Sequence, residues 1–389
     1  MPEKKNKIIC MISCRHNLLD DRIYKKEAVS LSKEGFDLIH IGYGEAAQDY
    51  FTKENIRIIQ LKKIYKKERI KAFKQLHLND LYQTAKELHA DVYHLHDVEL
   101  CRIAVKLKKL PWNPKVIYDA HEPFCENLKD YWKERSLMKV FFNDIPSVFA
   151  EKRILSKVDY LIATEKNVYS RFLKKNPNTS IVHNYSYFSP VNSVDKNAIK
   201  EFDAIYCGTI SESKGIFLMI EALIEARKKQ ENLRFVIVGG FSHISLQQKI
   251  EKIIQQENLE KHLFFTGELP LEKISSYYNK SKTAFCLFPL NRTNQLILPI
   301  KLFEYAAFGL PIIGSDFGHI KEIIEQNKIG ITVNPHNAEN VADALIQLIS
   351  DDKYKNYHFP CINCVGNKYL WEKEEEKLLQ IYNQLLRFS

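Results

Sequence analysis

Residues 298–316 read LPIKLFEYAAFGLPIIGSD, a short helix signal that runs directly into a buried-strand signal. Lys301, Leu302, Phe303, Tyr305 and Ala306 keep helical spacing, Gly309 suits the left-handed residue that closes a helix, and Pro311 forbids further winding. Ile312, Ile313 and Gly314 then form an apolar run of the kind found in a parallel strand covered on both faces. Glu304, in the first turns of the helix, can accept hydrogen bonds from the two adjacent hydroxyls of a ribose. It can equally just favour the positive end of its helix.

The same alternation extends in both directions. Strands are expected at Ile8–Ile12, Leu38–Gly42, Ile56–Leu61, Val92–Leu95, Lys115–Asp119 and Tyr160–Thr164, with helices near 24–33, 81–88, 100–108 and 147–155. This βαβ rhythm predicts one parallel, doubly wound sheet. Tyr185 to Lys200, YSYFSPVNSVDKNAIK, lacks periodicity and reads as a linker. A second series follows, with strands at Ala204–Cys207, Phe235–Val238, Leu263–Phe265, Thr283–Leu287, Pro311–Gly314 and Gly330–Val333. The tail from Trp371 to Leu386 is a charged amphipathic helix. The predicted division is 1–190, 191–365 and a closing helical segment, 366–389. In open α/β sheets ligands bind beyond the carboxyl ends of the strands, so two such domains facing a central cleft place the expected site in that cleft.

Composition is that of an ordinary globular chain, which excludes disorder and fibre, and no run approaches the length of a membrane span. The start, MPEKKNKIICMISC, is read as a first core strand and not as a secretory signal. Eight scattered cysteines fit free thiols in a reducing cytoplasm, and Cys361-Ile-Asn-Cys364, without a second pair, reads as two loop thiols. Residues 1–190 hold 34 Lys+Arg against 24 Asp+Glu, and the remainder 23 against 24, so the basic excess belongs to the first half. Its densest run, Lys62 to Lys74, is a solvated helix face or a patch for anionic lipid. Charge alone does not make a nucleic-acid site, and no stacking platform accompanies it.

In Tyr206 to Gly215, YCGTISESKG, a strand ends in glycine and reaches Lys214-Gly215 just before a helix. Gly208 permits close backbone approach, the helix offers unsatisfied amides and Lys214 adds a charge, which together suit a diphosphate. The order CGTISESKG, FVIVGG, FTGELP, LPIKLFEYAAFGLPIIGSD resembles the nucleotide-sugar domain of retaining GT-B glycosyltransferases of family four. DVYHLHDVEL, VIYDAHEPF and VDYLIAT resemble the acceptor-side domain of members that build bacterial surface glycans, and the last helix resembles the family's helix that crosses back to the first domain. The resemblance implies two Rossmann-like domains and transfer of a hexose-type sugar from a nucleoside diphosphate, UDP before GDP-mannose, to a hydroxyl of a lipid-linked glycan. It also implies no metal or other cofactor, and work in the cytoplasm at the inner face of the membrane.

Carried over by position, Lys214 neutralises the diphosphate and Glu304 holds the ribose. Gly208, Thr209, Gly239, Gly240 and Lys301 line the donor side, and His121 lies near the transferred sugar, so His121, Lys214 and Glu304 are the catalytic candidates. His16, Arg22, His96, Asp97 and Glu122 are the acceptor-side candidates, in loops that follow strands. Two departures stand out. Leu296 occupies the place of the first acidic residue of Glu-x7-Glu, and Thr209 that of an arginine, with Arg292 or Asn294 as substitutes. These departures keep a catalytically silent partner subunit open beside an epimerase or hydrolase on the same scaffold. His94-Leu-His96-Asp97 and His121-Glu122 carry metal-ligand residue types, but nothing else in the sequence completes a ligand set, and His94 reads as a core histidine.

Overall fold

The computed structural model describes residues 6–63, 70–121, 144–189 and 193–387, the side chains of 70–77, 271, 292, 293 and 387 excepted. Glu122, Cys125 and most of the basic run Lys62–Lys74 lie outside that description. The chain forms two compact units, Met1–Asn184 with Trp371–Ser389, and Tyr185–Leu370. The junctions thus fall at 184/185 and 370/371, not at 190/191 and 365/366. Tyr185 goes with the second unit because its ring packs edge-on against Phe303 and Tyr369, at 4.9 and 5.1 Å between centroids. Trp371 goes with the first because its indole Nε1 donates to Ser30 Oγ at 3.1 Å.

In the first unit β1 (Ile8–Ile12), β2 (Asp37–Gly44), β3 (Gln48–Phe51), β4 (Arg57–Lys62), β5 (Val92–Leu95), β6 (Lys115–Ala120), β7 (Tyr160–Ala163) and β8 (Thr179–Ile181) form one sheet, ordered β3-β4-β2-β1-β5-β6-β7-β8. All neighbours run parallel except β3 against β4. Apolar residues alternate across β1: Cys10 and Ile12 join one core layer, Ile9 and Met11 the other. Burial on both faces explains why these strands read as unbroken apolar runs. The closing helix, Trp371–Arg387, sets Leu378, Ile381, Tyr382 and Leu385 into the second of those layers.

The second unit holds β9 (Phe202–Cys207), β10 (Phe235–Val238), β11 (Leu263–Phe265), β12 (Ser281–Cys286), β13 (Ile312–Ser315) and β14 (Gly330–Val333), all parallel, ordered β11-β10-β9-β12-β13-β14. Strand order reverses beside β1 in one sheet and beside β9 in the other, and ligand sites form at such switch points. Cys361 and Cys364 are not loop thiols: both are buried in the helix His358–Lys368, where Cys361 Sγ approaches the Leu310 carbonyl at 3.4 Å. Among the described residues no helix is long and apolar enough to cross a membrane.

Candidate functional site

In the second unit, β9 gives way to Gly208 at φ 134°, a conformation that side-chain-bearing residues rarely adopt. Gly239, after β10, sits at φ 144°, and a Cβ there would lie 2.1 Å from the Gly208 carbonyl oxygen. The two glycines therefore bring the ends of neighbouring strands into contact. Lys301, at the start of the helix Lys301–Ala307, puts its Nζ 3.9 Å from the Tyr206 ring centroid and 3.2 Å from where a Gly208 Cβ would stand. Lys214 comes from the turn Glu212–Lys214 and stands over Phe288, 4.8 Å from its centroid, and Lys301 lies 5.8 Å from the same ring.

Two cations thus share the Phe288 ring, and one of them, Lys301, stands beside Gly208. Aromatic faces attract ammonium groups without neutralising them. Among the described residues no carboxylate forms a salt bridge with Lys301, and burial lowers its pKa. Glu304, one turn along the same helix, accepts a hydrogen bond from the buried Tyr278 hydroxyl at 3.1 Å through Oε2. That bond fixes the carboxylate from behind. Tyr278, Tyr206 and Phe288 were not among the expected site residues, because nothing in their spacing separates them from core aromatics. Of the residues weighed as substitutes for Leu296 and Thr209, Asn294 has its amide committed to the Pro289 carbonyl at 2.8 Å, and the Arg292 side chain lies outside the described residues. Lys301 stands beside Gly208, the residue before Thr209.

In the first unit the loops after β1, β5 and β6 enclose a cavity of about 220 Å³. Arg15, His16, His96, Asp97, Glu99 and His121 line it. The Asp97 carboxylate accepts from the Cys14 and Arg15 amides at 2.6 and 3.0 Å and pairs with His16 Nδ1 at 3.0 Å. Burial works to raise its pKa, but these partners outweigh burial and hold it at about 2. Arg15 pairs with Glu99. His96 Nδ1 lies 3.0 Å from His121 Nε2, which also stands 3.4 Å from Asp119 Oδ2. His121, His96, Asp97 and His16 are therefore gathered in one place.

Arg22 is not. Expected in an acceptor-side loop, it is buried, because Asp20 caps the helix that starts at Asp21 and turns Arg22 inward. There it meets Glu27 at 2.9 Å and Asp119 at 2.8 Å. Burial opposes the Asp119 charge, but Arg22 and His121 hold its pKa well below the usual carboxylate range. Glu27 supplies what the sequence did not show as completing a ligand set. With His94, His96 and Asp119 it forms a buried group whose ligand-type atoms all lie within 4.8 Å of one another. The Arg22 guanidinium bridges both carboxylates of the group, and His94 Nδ1 lies 2.8 Å from the Tyr382 hydroxyl. His94 is a core histidine, its pKa lowered to about 3 by burial.

Comparison with known proteins agrees with this architecture. Residues 192–358 match the family model described as Glycosyl transferases group 1. The D-inositol 3-phosphate glycosyltransferase of Corynebacterium urealyticum is 24% identical over 185 residues, 46% of this chain and 42% of that protein. The chain thus spans less than half the length of this curated relative. Sucrose-phosphate synthase from Thermosynechococcus elongatus superposes with a TM-score of 0.74 at 16% identity, covering 99% of this chain and 100% of that one. HepE from Anabaena, solved with UDP and glucose, superposes with a TM-score of 0.70 at 11% identity, covering 97% and 100%. Two Rossmann-like units with parallel sheets give this chain the fold of the GT-B glycosyltransferases, and its second unit carries the match to glycosyl transferases group 1.

Proposed function

We propose that the protein is a retaining glycosyltransferase that moves a sugar from a nucleoside diphosphate to a hydroxyl of a glycan acceptor, lipid-linked and destined for the bacterial surface. The observation that carries this reading is Lys301 beside Gly208, with Lys214 and Lys301 over the same Phe288 ring and Glu304 held by Tyr278 on the helix that carries Lys301. The lysines take the diphosphate, Glu304 takes the ribose hydroxyls, and Gly208, Gly239 and Gly240 let the backbone come close. His121 contacts the transferred sugar. The acceptor oxygen bonds to the anomeric carbon on the face the diphosphate leaves, and the acceptor proton passes to a departing phosphate oxygen. Lys214 and Lys301 stabilise the charge that develops on that diphosphate, so the transfer needs no metal ion.

UDP is the first choice of nucleotide, since HepE carries it on the same fold, and GDP-mannose the second. The basic excess of residues 1–190 suits work in the cytoplasm at the anionic inner face of the membrane. A second reading, a silent partner subunit, draws on Leu296 and Thr209. A thermal-shift panel of UDP-, GDP-, ADP- and CMP-sugars tests the donor: a bound donor at about a hundred times its Kd stabilises by roughly 2.7 kcal/mol. UDP-sugar hydrolysis or transfer by the wild type, lost in Lys214→Ala and Glu304→Ala, excludes the silent subunit. No shift with any of the four classes overturns the proposal.

A further inference from the structure

The first-unit cavity holds charged residues, yet among the described residues its basic side chains are engaged. Arg15 is held by Glu99, and His16 Nδ1 lies 3.0 Å from Asp97 Oδ1. His96 is buried and kept neutral, since burial and the neighbouring histidines push its pKa well below the usual imidazole range. His121 turns Nε2 toward His96 and Asp119. Among the described residues, an anionic ligand would therefore meet two carboxylates, Asp97 and Glu99, and a guanidinium already paired with one of them. A neutral, hydroxyl-rich ligand meets something different. His96 lines the cavity in neutral form, and the walls offer both donors and acceptors.

From this geometry we infer that the cavity takes an uncharged polyol ring and rejects the same ring bearing a phosphate or carboxylate. The inference deepens the reading as glycosyl transfer and rests on it. The chemistry is shared by two sources, the transferred sugar of the donor and the ring of the acceptor. The cavity of about 220 Å³ suits one such ring. The contrast with the second unit is one of commitment: there Lys301 stands over the Tyr206 ring and, among the described residues, forms no salt bridge, and here the guanidinium is paired with a carboxylate.

Binding to the full chain by titration calorimetry tests it with matched pairs. Myo-inositol against inositol 3-phosphate, and N-acetylglucosamine against its 6-phosphate, form the acceptor arm; UDP-glucose against UDP-glucuronate forms the donor arm. The neutral member is expected to bind on the order of tenfold more tightly in the arm that uses the cavity, because a like charge a few ångströms away disfavours the anion. Glu99→Gln releases Arg15 and should bring the pair to within about threefold. Arg15→Met removes the cation altogether and should widen the gap, which covers the case that Glu99→Gln does not fold. Equal or tighter binding of the charged member in both arms overturns the inference. So does absence of binding by every neutral member, or a ratio that neither variant moves. Failure of the transferase reading shows elsewhere, as UDP affinity indifferent to Lys214→Ala and Glu304→Ala.

Discussion

Arg22→Met isolates the buried charge network beneath the first-unit cavity. The guanidinium Nε stands 2.9 Å from Glu27 Oε1 as an ion pair, while Nη2 donates to Asp119 Oδ2 at 2.8 Å and Nη1 to the Val182 carbonyl at 3.1 Å. Arg22 is 3% exposed and both carboxylates 0% exposed, so water cannot replace what the substitution removes. Methionine fills much of the aliphatic volume but leaves Asp119 buried without its counter-charge, beside a Glu27 whose pKa burial already pushes up, a change worth about 3–5 kcal/mol. For a unit of roughly 200 residues, each kcal/mol moves Tm by about 2–4 °C, so the first unit should melt roughly 6–20 °C lower at pH 7. The pH dependence follows from Asp119. Its folded pKa is depressed, so its contribution is present above the ordinary aspartate range and is lost only as pH falls through the folded value. Without Arg22 the same carboxyl takes up a proton at higher pH, which relieves the variant as the solution becomes acidic. Calorimetry on both proteins at about pH 7 and about pH 4.5 should therefore show the gap narrowing, and adding Glu27→Leu should restore part of it. A fall in Tm of less than about 2 °C at neutral pH, or a gap independent of pH, would refute the network as drawn.

Tyr278→Phe deletes the hydroxyl that holds Glu304 Oε2 and leaves the packing intact, so KM for the donor should rise about three- to tenfold with kcat little changed, the signature of lost ribose positioning. Steady-state kinetics checks it, and an unchanged KM removes Tyr278 from the site. Gly239→Ala sets a Cβ 2.1 Å from the Gly208 oxygen at a positive φ, so it should destabilise the second unit by about 1–3 kcal/mol and abolish the donor-induced thermal shift. A variant that melts and binds like the wild type would show that the strand ends need not touch.

The strand series was legible because parallel strands buried on both faces are written as apolar runs, as at Phe235–Val238, where sequence and structure share the same bounds. What escaped was written in weaker terms. β3, QDYF, is exposed along its whole length and pairs antiparallel at the sheet edge, and β8 is only three residues long. The helix Gly318–Asn327 opens at a glycine with positive φ, without the side-chain cap that signals a start. Among candidate site residues, Lys214 and Glu304 stood out because charge next to glycine or inside an apolar helix is conspicuous, and Lys301 entered through the resemblance alone. Tyr278 and Glu27 did not, since an aromatic before a strand and an acid on a helix are commonplace. Their roles exist only through contacts 26 and 92 positions away in sequence, Tyr278 with Glu304 and Glu27 with Asp119.

Arg22 shows most clearly why residue type and loop position fall short of a role. An arginine after the first strand of an α/β domain suits ligand contact as well as structure, and the choice was made by Asp20. By accepting from the Arg22 and Ile23 amides at 2.8 and 3.0 Å, Asp20 sets where the helix begins, and one position of rotation decides which side chain faces the sheet. Once inside, Arg22 can persist only with acids beside it, and Glu27 and Asp119 meet that need. Asp119 in turn lies 3.4 Å from His121 Nε2, so the buried cation and the cavity wall share one carboxylate. The consequence is that Arg22 bears on the cavity without touching it: it fixes the charge of the group that His121 leans on, and any change at Arg22 reaches the cavity through Asp119.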